Sequence, residues 1–354
     1  MPRFLSVLCL VIFSLSAKNI LHITSTDATY SLEFQKIAKE FNYALTTWYV
    51  PDLPPQFLDG TSGGLALYCL SHERAERIWN LHQKTFETFD LICVSGHAPL
   101  ARIFLQNNWQ KPLLIWVAGP FDYEDLSGCD GNFPDLEYYE LFALSRTMPN
   151  VQIVSASPFA ISYAASKGID LGDRVLPPIG IGTRPLFTKQ SSSFYIPPRY
   201  NEVSCINVAK LLQDFKISTT CTHIAESMDL CSFRGIVHLP CGYTSAGLFQ
   251  HLALGIIYCL PSKNFFEQLI STAPGYYHEH PSFLLKENRY DLSDWYHPEH
   301  ADWFIYFDSW DDLAEKLKTT NFRAKKEKLL SSIISYQKEV RAGWAELFQD
   351  LFQE

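Results

Sequence analysis

Several groups of side chains in this chain have the types and spacing to do chemistry. His97, in Ser95-Gly96-His97, and Asp122, in Phe121-Asp122-Tyr123, each follow a short apolar run. An imidazole or a carboxylate at such a place can take a proton from a hydroxyl. Tyr243, Thr244, Ser245, Ala246 and Gly247 open a helical pattern in which Gln250 follows. Hydroxyls and backbone N–H groups at the positive end of a helix suit a phosphate. Arg184, in Gly180-Ile-Gly-Thr-Arg184, supplies a guanidinium, and His278-Glu-His280 with His297-Pro-Glu-His300 supply the donor types of a metal site. Each has a plainer alternative. His97 and Asp122 can be turn residues satisfying local backbone groups, and Arg184 can be a surface cation at a hinge.

These side chains need elements to hold them, and Arg234 to Ser262 shows which kind. Ile236, Val237 and Leu239 form an apolar run that stops at Pro240, as a buried parallel strand does. Thr244 and Ser245 are good N-cap residues, and Leu248, Phe249, Leu252 and Ala253 follow at helical spacing. Gly255 is placed to end that helix, and Ile256 to Leu260 reads as a second buried strand closed by Pro261. Strand, turn, helix and strand make a βαβ unit whose ligand edge is the turn after the first strand. The same rule places Thr24 to Asp27, His97 and Asp122 at strand ends in the first half.

A strand ending in Pro, a small-residue turn, a helix ending Leu-Ala-Leu-Gly and a strand ending in Pro resembles the donor-binding half of GT-B-fold glycosyltransferases. The resemblance implies that Tyr243 to Gly247 line the diphosphate of a nucleotide sugar and that Arg184 stabilises the departing diphosphate. It implies His97 or Asp122 as the base of an inverting reaction, and no metal or other cofactor. Many retaining members carry a Glu on this helix that holds the ribose; here the matching position is Gln250, a neutral amide. The segment around His278 to His300 also carries Tyr276, Tyr277, Trp295 and Tyr296, so stacking against an acceptor sugar is preferred there to a metal.

With 29 Lys and Arg against 38 Asp and Glu, the net charge is −9, and no basic run precedes Arg323 to Lys328. A nucleic-acid partner is therefore ranked low. At 354 residues the chain has room for two domains. Met1 to Arg3 followed by the apolar Phe4 to Leu15 reads as a signal peptide over residues 1–17, or as a short anchor. A secretory or exported route follows from it. A cytoplasmic or membrane-associated protein is the alternative, with membrane association only if that segment is retained. Of the cysteines, Cys93, Cys205 and Cys259 lie in apolar runs where a thiol behaves as a small hydrophobe, and no C-x-x-C pair occurs.

Elsewhere strands at Ile20–Thr24, Leu45–Val50, Phe89–Gly96, Lys111–Ala118, Val151–Ser155, Arg174–Leu176 and Val203–Val208 alternate with helical stripes. The expected fold is α/β: two Rossmann-like domains in a GT-B-like arrangement with parallel sheets. An acceptor-side domain would span 18–182, a linker 183–201, a nucleotide-sugar domain 202–335, and a helix at 336–354 would return to the first domain. The function expected is metal-independent transfer of a sugar from a nucleotide-sugar donor to a carbohydrate or glycoconjugate acceptor. An exported solute-binding protein, or a GT-B-like scaffold without catalysis, is the alternative.

Overall fold

The computed structural model describes residues 17–24, 28–52, 70–122, 134–182, 191–198, 206–224, 228–240, 246–272 and 289–352. Of residues 1–17, read as a signal peptide or short anchor, residues 1–16 lie outside them. No helix among the described residues is long and apolar enough to cross a membrane.

The chain forms two parallel five-stranded sheets. In the first half β1 (Asn19–Thr24), α1 (Ala28–Glu40), β2 (Ala44–Tyr49), α2 (His72–Phe86), β3 (Leu91–Gly96), α3 (Arg102–Leu105), β4 (Leu113–Val117), α4 (Leu136–Ser145), β5 (Val151–Ser155) and α5 (Pro158–Ser166) give the order β2-β1-β3-β4-β5. In the second half come β6 (Phe194–Tyr195), α6 (Val208–Asp214), β7 (Thr219–Thr220), β8 (Ile236–Val237), α7 (Ala246–Ala253), β9 (Tyr258–Pro261), α8 (Lys263–Thr272), β10 (Ile305–Phe307), α9 (Trp310–Thr319) and α10 (Phe322–Phe352). Their order is β10-β9-β8-β6-β7. Read within its own half, each sheet runs second, first, third, fourth, fifth. The fold is thus α/β with parallel sheets, as the alternation of strand and helix patterns predicts, and GT-B-like in its two halves, as the resemblance implies.

Local chemistry sets the boundaries. Ser71 caps α2 by accepting from Arg74 N, Asp135 caps α4 at Tyr138 N, and Ser309 caps α9 at Asp312 N. Pro158 opens α5 at a position where the missing N–H costs nothing. Gly255, at φ +75°, turns the chain out of α7 into β9.

Three expectations are corrected. The run at 203–208 is not a strand where it is described: Asn207 caps α6 by accepting from Lys210 N, and Val208 begins that helix. The apolar Val208 and Leu212 are one helical turn apart, a period that a strand reading cannot distinguish over so short a stretch. Phe194–Tyr195, within the 183–201 stretch read as linker, is β6 and pairs with both β7 and β8. Two buried aromatics among Ser and Pro were enough to make a central strand. Arg174–Leu176 contributes only a bridge from Val175 to Ser155.

The first sheet is buried on both faces. Leu21, Ile23, Ile92, Val94 and Ile115 pack with Ala75, Ile78 and Trp79 of α2, while Ile20, Leu91, Cys93, Leu114 and Trp116 pack with Phe34 and Ile37 of α1. The latter layer is completed from the far end of the chain by Val340, Trp344, Leu347 and Phe348 of α10. Earlier on the same helix Leu329 and Ile333 pack with Leu248 and Phe249 in the second half. One helix therefore belongs to both cores.

Candidate functional site

In each sheet the strand order reverses between the first and third strands, so the connections leaving their C-terminal ends diverge and open a crevice. In the first sheet that place lies between β1 and β3. Thr24 ends β1 in register with Ser95. His22, fully buried in β1, brings Nε2 to 2.7 Å from Ser95 Oγ and packs tilted against Phe34, ring centres 4.6 Å apart. Burial lowers its pKa to about 3, so the imidazole is neutral. Sequence reasoning passed over His22; its signal is a lone ionisable residue inside the apolar run Ile20 to Ile23.

His97 leaves β3 after Gly96 and stands before the 3₁₀ turn Ala98–Ala101, which has Pro99 near its start. Its ring is buried, and burial lowers its pKa to about 3. Asp122 comes from the end of β4, beside β3, and so shares that edge with His97. Its carboxylate accepts from Tyr163 Oη at 2.9 and 3.2 Å and from Tyr139 Oη. Two phenols fix this carboxylate against α4 and α5. A carboxylate so engaged is an anchor for the layer behind the sheet.

The same edge carries buried hydroxyls. Thr24 Oγ1, Ser155 Oγ at the end of β5 and Ser157 Oγ before α5 have no hydrogen-bond partner among the described residues. Buried hydroxyls are ordinarily satisfied, and orphans gathered on one edge of a sheet are groups that water or a ligand would satisfy.

In the second half, Gly247 and Gln250 lie in the first turns of α7, with Gln250 half-buried. Ala246 begins the helix, and its side chain lies outside the described residues, as do Tyr243, Thr244, Ser245 and Arg184. His238, just past β8, sits 4.4 Å from the Trp295 ring. His251 brings Nδ1 to 2.5 Å from Tyr258 Oη, and burial takes its pKa to about 4.

The two halves meet at residues 178–182. Glu33 of α1, fully buried, accepts from Ile179 N at 3.0 Å and from Gly180 N and Ile181 N at 2.9 Å. From α10, Tyr336 Oη donates to Pro178 O at 2.8 Å and Gln337 Nε2 to Ile179 O and Gly180 O at 3.1 and 2.9 Å. This strap lies against α7, whose Phe249 stacks on Tyr336 at 5.5 Å. Burial raises the Glu33 carboxyl from 4.5 to about 7 against the opposing pull of its three N–H donors and Lys36. Between those values the folded chain holds a proton that the unfolded chain has released, so stability falls as pH rises through the window. The shift from 4.5 to about 7 corresponds to about 3 kcal/mol. Denaturant melts from about pH 5 to about pH 8 should show that loss in the native chain and not in Glu33→Gln. Equal slopes in both would acquit Glu33.

Among the described residues no group of His, Cys, Asp and Glu has the arrangement of a metal site. His278 and His280 lie outside those residues. His300 is a core residue, stacked 4.1 Å from Trp303 with Nδ1 2.9 Å from Asp294 O. The cysteines described, Cys93, Cys221, Cys231 and Cys259, are free thiols.

No protein-family model matches this chain, and no curated relative does. Among solved structures it is similar to the glycosyltransferase SnogD from Streptomyces nogalater, at 13% identity over 94% of this chain and 99% of that one, with a TM-score of 0.45. The fold assignment rests on the strand order and the crossing helix of this chain, not on that likeness.

Proposed function

We propose that the chain transfers a glycosyl group from a nucleotide-sugar donor to a hydroxyl of a carbohydrate or glycoconjugate acceptor. The observation that carries this reading is the repetition of one doubly wound strand order in two halves, each with a crevice at its strand C-termini, tied by α10. Fold does not fix function, so the residues must supply the rest. In this reading the start of α7, with Tyr243, Thr244, Ser245, Ala246 and Gly247, directs backbone N–H groups at the donor diphosphate. Gln250 holds the ribose by its amide, and Arg184 compensates the charge on the departing diphosphate.

His97 takes the acceptor proton. Its imidazole is neutral above about pH 3, so it is ready to accept at any physiological pH. A base this weak contributes at the low end of general-base catalysis, so His97→Ala should lower turnover about 100-fold with nucleotide affinity unchanged. No inflection from this imidazole should appear in kcat/KM near neutral pH.

The reading is tested first by thermal shift of the chain lacking residues 1–17 with UDP, GDP, CDP and ADP, with and without chelator. A nucleotide at about 100 times its Kd stabilises by about 2.7 kcal/mol. Stabilisation by one nucleotide that survives chelator and is lost in Gly247→Trp supports the donor site. Response only to free sugars would instead favour a solute-binding protein, and no response to any nucleotide sinks the donor reading.

A further inference from the structure

At the edge of the second sheet opposite the crevice, where β8 and β9 begin, lies a cavity of about 280 Å³. Its walls include Arg234, the backbone of Gly255 to Ile257, and Asn321, Arg323 and Lys326 at the start of α10. The charged part of the lining is positive, set beside the apolar Phe233, Ile256 and Phe322.

Arg234 is the telling residue. Its guanidinium is held 5.0 Å from the Phe194 ring and 4.8 Å from the Phe322 ring. Two aromatic contacts orient the guanidinium and leave its N–H donors for something else. Among the described residues no carboxylate or other acceptor takes those donors. An oriented, half-buried arginine with no counter-ion among the described residues is an unfinished ion pair. Arg323 pairs with Glu327 at 3.2 Å on the exposed face, which accounts for one of the other charges but not for Arg234. The 31-residue α10 adds its positive end at the same wall, with Asn321 Oδ1 committed to Ala324 N.

We propose that this cavity binds a phosphate dianion, free or as the monoester of a small molecule, with Arg234 as the principal contact and Lys326 adding positive charge at the wall. A guanidinium fork matches two phosphate oxygens, and the cavity has room for more than the phosphate alone. The site is separate from the donor crevice and does not depend on the reading of that crevice.

The test is calorimetric titration of the full chain with inorganic phosphate, glucose 6-phosphate and glucose at low salt. The expected result is binding of inorganic phosphate or the monoester with a Kd of about 1 mM or tighter, and none of glucose. Tighter binding of the monoester identifies a phosphorylated small molecule as the occupant, and equal binding identifies free phosphate. Arg234→Gln should weaken binding about tenfold or more, equivalent to about 1.4 kcal/mol. Since Arg234 also packs on two rings, Lys326→Glu on the helix provides the variant that keeps those contacts, and it should weaken binding as well. UDP binding should be unchanged in both. Absence of phosphate binding at about ten times that concentration overturns the proposal. So does binding that survives both substitutions and disappears in Gly247→Trp, which would place the phosphate in the crevice.

Discussion

Trp344→Ala is expected to destabilise the first half of the chain by about 3–5 kcal/mol. Trp344 is fully buried on α10, edge-on to Trp116 at 5.2 Å and to Phe34 at 5.8 Å, with Phe348 at 5.7 Å. Truncation removes the transfer energy of the indole and leaves a cavity among rings that cannot all collapse into it. At about 2–4 °C per kcal/mol for domains of ordinary size, the first-half transition should fall by about 10 °C. Leu329 and Ile333 continue to hold α10 on the second half, so a scan should resolve two transitions where one is expected of the native chain. Trp344→Phe should cost much less, about 1–2 kcal/mol. The indole Nε1–H has no partner among the described residues, and Phe removes that buried donor along with the lost area. A loss under about 1 kcal/mol for Ala would mean that α10 does not dock on the first sheet in solution.

That docking was legible early. Trp344, Leu347, Phe348 and Leu351 recur at the spacing of one helical face, and a helix with such a face has to bury it somewhere. The central strands of the first half were legible for the same reason: β1, β3 and β4 are mostly apolar runs buried on both faces. The second half was harder to read because its strands are short. β6, β7 and β8 are two residues each, too few for a period of two to declare itself. Phe194–Tyr195 joins a sheet because Gly235 O and Thr220 O accept from Tyr195 N and Ile196 N, and no local signal announces those partners.

The candidate site divides along a similar line. His97 and Asp122 were found because strand ends in parallel sheets face the crevice, a rule that needs only the strands. What Asp122 does there depends on Tyr139 and Tyr163, which arrive from two helices downstream, and sequence spacing says nothing of them. His22 and Ser95 meet across neighbouring strands, a pairing set by the order of the sheet. Glu33 is the plainest case. On the sequence it is a polar position of a helix, and only the return of residues 179–181 to α1 turns it into the acceptor for three backbone N–H groups.

The closeness of that return makes Gly180→Ala the second large effect, at about 3–5 kcal/mol. Gly180 has φ +79°, and a Cβ there would stand 2.3 Å from Phe249 O and 2.8 Å from its carbonyl carbon. The left-handed backbone alone costs an alanine about 1–2 kcal/mol. The contact is with backbone at the middle of α7, so no side chain can turn aside, and relief requires the strap and the helix to separate, adding about 1–3 kcal/mol. Separation also pulls Gly180 N from Glu33 and Gly180 O from Gln337. Gly168 is the internal control, with the same φ of +79° and nothing within 4 Å of its added Cβ. Gly168→Ala should therefore cost only the backbone part, about 1–2 kcal/mol. The difference between the two variants in denaturant melts measures how closely the halves are held at the strap. If Gly180→Ala costs no more than Gly168→Ala, the approach of α7 to residues 180–182 is looser in solution than the structure has it. A full difference, with the m-value unchanged, would mean that α7 and the first half are held in one fixed relation before any ligand arrives.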